Sequence, residues 1–80
     1  MRPFPTSLQV RTKLAELASA DKVTLPYLSR AMGRPERYLT RFVKLGRPEW
    51  LDPSDRAWLA RWFGVDTFEL GDRDKAKPDQ

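Results

Sequence analysis

Proline and glycine constrain this chain more than any other residues, because they stand where short helices have to begin and end. The eighty residues carry seven prolines and four glycines. Pro26, Pro35 and Pro53 fall where a first helical turn would lie, and there a missing N–H costs nothing. Gly33, Gly46, Gly64 and Gly71 each close an apolar stretch, as residues do that end a helix in left-handed backbone. Between these marks apolar side chains recur every three or four positions and never alternate, so the expected fold class is all-α, a compact arrangement of five short helices with no strand.

A first helix is predicted over residues 7–20, with Thr6 or Ser7 as N-cap and Val10, Leu14, Leu17 and Ala18 on its core stripe. Asp21-Lys22-Val23 turns the chain. A second begins after Thr24, buries Leu25, Leu28 and Met32, and stops at Gly33. A third is predicted over 35–45, with Leu39, Phe42 and Val43 facing inward and Gly46 just past its end. A fourth opens with Asp52 as cap and Asp55 as an acid suited to the positive end of the helix dipole. Leu59, Trp62 and Phe63 are its apolar stripe. A fifth is expected over 66–70, where Asp66 and Glu69 have capping-box spacing. Residues 7–71 thus form one domain. Residues 1–6 are a flexible arm, either lying along a partner or frayed, and 72–80 hold too little apolar surface to order, so they read as a disordered tail.

Composition removes whole classes of function. Cysteine and histidine are both absent, which excludes disulfides, thiol chemistry, Cys/His zinc sites and His-based catalysis. The expectation is a chain that is not an enzyme and takes no cofactor and no metal. No apolar run approaches the roughly 18 residues of a membrane span, and the first six residues lack the apolar stretch of a secretory signal. A cytoplasmic, nucleoid-associated location is expected.

Charge is distributed unevenly. The net charge is +4, yet residues 1–49 carry +6 and residues 50–80 carry −2. Between residues 30 and 47 six basic side chains meet one acid, Glu36. Such an excess suits a polyanion, though a solvated helix face has the same composition. On a wheel of about 100° per residue, Leu39, Phe42 and Val43 share one side of the third helix, and Arg37, Thr40, Arg41 and Lys44 share the other. Arginine can grip guanine through two hydrogen bonds, threonine can meet a base edge or a thymine methyl, and lysine suits a phosphate. Glu36 can accept from a cytosine amino group or simply favour a helix N-terminus. Glu36, Arg37, Thr40 and Arg41 are therefore the candidate base-reading residues. Arg30, Arg34, Lys44 and Arg47 are the candidates for phosphate, which fixes register without reading sequence.

Spacing supports the same reading. Small Ser29 permits close approach of two helices, Gly33 turns the chain, and Leu39 and Phe42 pin the next helix, which is the helix-turn-helix pattern. Leu28-Ser29-Arg30-Ala31-Met32-Gly33-Arg34, Tyr38-Leu39-Thr40-Arg41-Phe42-Val43-Lys44, Leu51-Asp52-Pro53-Ser54-Asp55-Arg56 and Leu59-Ala60-Arg61-Trp62-Phe63-Gly64-Val65 resemble the lambda-repressor-like (Xre/Cro) DNA-binding domain, over about residues 8–71. The likeness is closest to small bacterial versions that often precede a LexA-like self-cleaving peptidase domain, with no peptidase half in these eighty residues. The resemblance implies a five-helix fold and a transcriptional regulator that binds double-stranded DNA through its third helix, commonly as a homodimer on an inverted repeat. Arg34 departs from the aliphatic residue usual after the turn glycine, and Leu25 from a polar phosphate-contacting residue. Trp58, Phe68 and Leu70 are the candidate exposed apolar residues of a dimer interface, Trp50 is expected to pack within the domain, and Trp62 is expected in the core. The alternative is a module of the same shape that binds a protein through the Trp-rich side of the fourth helix.

Overall fold

Each helix starts and stops for a reason that can be read in its capping residues. The computed structural model describes residues 4–72. Helix α1 (Ser7–Ala20) is opened by Thr6, whose hydroxyl accepts from the Gln9 N–H at 3.1 Å while Gln9 Oε1 accepts from the Thr6 N–H at 2.8 Å. This reciprocal pair satisfies two N–H groups that a helix start leaves without partners. Helix α2 (Leu25–Ala31) is capped by Thr24, which accepts from the Tyr27 N–H. Helices α3 (Tyr38–Leu45) and α4 (Pro53–Phe63) follow. The last element is a 3₁₀ turn (Thr67–Leu70) rather than a fifth α-helix. Asp66 caps it through the Phe68 N–H, but no capping box forms, because Glu69 reaches across to Lys13 Nζ on α1 at 3.1 Å.

The core lies where the helices meet. Val10 and Leu14 of α1, Leu28 of α2, Leu39 and Phe42 of α3, Leu59 of α4 and Leu70 of the 3₁₀ turn are all fully buried. Each such side chain stabilises the fold by about 1.5–3 kcal/mol relative to exposure, so every element is tied to the others by at least one. Trp50, from the segment between α3 and α4, packs against this core as expected. Its ring stands so close to Gly71 that a Cβ there would come within 3.1 Å of it.

Four further expectations need correction. Helix α3 begins at Tyr38, not at residue 35: Arg37 has φ −92° and ψ 6°, and the Tyr38 N–H bonds back to Pro35 O, so residues 35–38 form a separate tight turn. Phe68 and Leu70 are not exposed interface residues but part of the core, at 7% and 0% exposure. The 3₁₀ turn presses them inward, and Phe4 lies over Phe68 with ring centroids 6.0 Å apart. Trp62 is not in the core: it is exposed, stacks on half-buried Trp58 at 5.2 Å and meets Tyr27 edge-on at 6.2 Å. Asp55 lies in the first turn of α4 as expected, and is in addition buried and paired across the fold. Asp72 belongs to the folded unit, since its backbone N–H bonds Thr67 O and its carboxylate accepts from the Thr67 hydroxyl. The remainder of the expected tail, 73–80, and residues 1–3 of the expected arm lie outside the described residues. Among those that are described, no strand forms and no helix is long and apolar enough to cross a membrane.

Candidate nucleic-acid interface

Helix α3 carries the basic surface, and it is anchored from outside itself. Its N-cap residue, Arg37, offers no side-chain hydrogen bond. Ser29 of α2 supplies one instead: fully buried, its hydroxyl donates to Leu25 O at 2.8 Å and accepts from the Leu39 N–H at 3.1 Å. A neighbouring helix thus satisfies one of the free donors at the α3 start. Ser29 is small enough for the close approach and polar enough to make it specific.

A second anchor comes from α4. Asp55, 5% exposed, accepts from the Tyr38 hydroxyl at 2.7 Å and from Arg34 Nε at 3.1 Å. Arg34 Nη2 also lies 3.0 Å from Asp55 and 3.3 Å from Asp52, and its guanidinium stands over the Tyr38 ring. Hydrogen bonding to Asp55, then its charge, raises the Arg34 pKa. Burial, and after it the hydrogen bond to Asp55, push the Tyr38 phenol up to about 12. Asp52 occupies the N-cap position of α4 but makes no cap hydrogen bond there, because its carboxylate is turned toward Arg34.

At the other end of α3, Gly46 has φ +69° and its N–H bonds Phe42 O. A side chain there would be strained, and a Cβ would come within 3.0 Å of Arg11 Nη1. Arg11 thereby brings a cation from α1 to the negative end of α3.

The candidate residues are distributed as follows. Arg37, Arg41, Lys44 and Arg47 are exposed, and their side chains make no ion pair or hydrogen bond among the described residues. Thr40 is half-buried on the same helix. Glu36 precedes α3 and pairs with Arg30, both largely exposed. Arg34 faces inward to its two acids. Glu36, Arg37, Arg41 and Arg47 line one open groove of about 780 Å³ together with Pro35, Tyr38, Leu45 and Pro48. Lys44 and Thr40 lie on α3 beside it.

Leu45, Tyr38, Asp55 and Arg11 belong to this region and were not among the candidates. Leu45 had a signal, since on the helical wheel it falls next to Arg41 on the outer side. Asp55 had none, because its partners lie 17 and 21 residues away. A helix edge with free guanidinium groups and a groove beside it can hold a polyanion through paired hydrogen bonds. No family model matches the chain, and neither a curated protein nor a solved structure matches it.

Proposed function

We propose that the chain is a helix-turn-helix module that binds double-stranded DNA with α3 in the major groove and acts as a transcriptional regulator. One observation carries the reading: the cations between residues 30 and 47 that pair with no acid among the described residues all belong to α3, its N-cap and the loop after it. An α-helix with its side chains is about 10–12 Å across, which fits a major groove about 12 Å wide. Ser29 bonds α2 to the start of α3 and Gly33, in left-handed backbone, turns the chain between them, which supports the reading, and the resemblance to lambda-repressor-like domains points the same way. The connection from Met32 to Arg37 is longer than the three or four residues usual between such helices; its second half is the tight turn opened by Pro35.

In this reading Arg37 and Arg41 reach base edges, with Thr40 and Glu36 beside them. Lys44 and Arg47 meet phosphates. Arg30 and Arg34 join them only by leaving their carboxylate partners. A homodimer on an inverted repeat belongs to the same proposal; with Phe68 and Leu70 in the core, only Trp58 remains of its expected apolar surface, and exposed Trp62, with Tyr27 against it, adjoins Trp58. That stacked pair of tryptophans also supports the second reading, a protein-binding module using the α4 side.

Selection of duplexes from a random pool tests the proposal. The chain should enrich a defined site, and Arg37→Ala or Arg41→Ala should each weaken binding to it by about 1–3 kcal/mol while relaxing preference at particular base pairs. Absence of any enriched site would turn the choice to the α4 surface.

A further inference from the structure

Besides its cations, the groove along α3 contains an apolar element that charge does not explain. Leu45 is 64% exposed, more than any other large apolar side chain of the described residues. It sits in the last turn of α3, one helical turn beyond Arg41, and lines the groove with Arg37, Arg41, Arg47 and Pro48. A phosphate backbone gives no reason for an aliphatic side chain there. In the major groove of DNA the apolar group on a base edge is the C5-methyl of thymine.

The geometry points to Leu45 as a specificity-determining residue that reads a thymine methyl, an inference that rests on the DNA reading above. The side chains of Arg41 and Leu45 are four residues apart, about 6 Å along the helix axis. That is about one to two base-pair steps at ~3.4 Å each. The thymine therefore lies within one or two steps of the guanine that Arg41 takes. Arg41 supplies hydrogen bonds, and Leu45 supplies the contact that distinguishes thymine from a pyrimidine lacking its methyl.

Uracil replaces thymine without changing its hydrogen-bonding edge and removes only the methyl. With the site enriched by the intact chain, each thymine is exchanged in turn for deoxyuridine, and binding of the wild-type chain and of Leu45→Ala is measured. At one position near the Arg41-dependent base pair, the exchange should weaken wild-type binding roughly fourfold, what burial of one methyl group is worth, and should leave Leu45→Ala binding unchanged. Leu45 is exposed, so the variant should melt with the parent, which a thermal scan verifies. If no position is sensitive to uracil, or if the loss is the same in both proteins, Leu45 does not read the methyl while DNA binding stands. If the wild-type chain enriches no site at all, the DNA reading falls and this inference falls with it.

Discussion

Arg30 and Arg34 on one side of the α2–α3 corner, and Arg37, Arg41, Lys44 and Arg47 on the other, are the same kind of residue close together in sequence, yet they reach opposite electrostatic states. The first two are neutralised: Arg30 by Glu36, Arg34 by Asp52 and Asp55 of α4. The other four meet no acid among the described residues. A run of positive charge in a sequence is thus not a positive surface until distant acids have been assigned to it. The two arginines are also unequal to each other. The Arg30–Glu36 pair is solvated on both sides and worth at most about 1 kcal/mol, whereas Arg34 meets a carboxylate that is out of water and shared with a phenol.

That contrast can be broken at its buried end first. Asp55→Ala leaves the Tyr38 hydroxyl without its acceptor and Arg34 with exposed Asp52 alone, and should lower the unfolding free energy by about 2–4 kcal/mol in urea denaturation. A loss under about 0.5 kcal/mol, the range of ordinary surface changes, would mean that the pairing does not anchor α3. A smaller effect separates the two groups of cations on nucleic acid. Arg47→Ala should reduce the slope of log affinity against log salt by about one unit, while Arg34→Ala should leave the slope unchanged and instead lower stability. Equal slopes for the two variants would show that Arg34 abandons its acids when DNA binds.

The least effect is a pH dependence. With its pKa raised from 10.0 to about 12, the Tyr38 phenol stabilises the folded chain fully below pH 10, where it is neutral in both states. Between pH 10 and about 12 the unfolded chain loses this proton first, so the contribution is lost as pH rises. The stability gap between wild type and Tyr38→Phe should therefore narrow across that window. A constant gap would contradict the neutral, paired phenol.

The limits of α1, the capping role of Thr24, the Gly46 cap and the inward set Val10, Leu14, Leu28, Leu39, Phe42 and Leu59 were all legible in the residues, as was the exposure of Arg41 and Lys44 on α3, whereas Thr40 is half-buried and Arg37 precedes the helix. These are local properties: caps act within three residues, and helical spacing fixes which side chains share a face. The start of α3 was not legible, because the backbone of Arg37 and the turn from Pro35 shorten it at a point where apolar spacing alone runs on. Trp62 looked like core by its spacing and is exposed, while Phe68 and Leu70 looked exposed and are buried, because which side of a short element counts as inside depends on where its neighbours stand.

By itself, then, the sequence determined the helical class, the positions of the breaks and the chemistry available on α3, since backbone propensity and periodicity act over a few residues. Only the tertiary structure decided which charges remain free and what holds α3 in place. Ser29 reaches Leu39 across 10 residues, and Asp55 reaches Tyr38 and Arg34 across 17 and 21. Hydrogen bonds and ion pairs depend on separation in space, and that separation is set by the packing of the whole core.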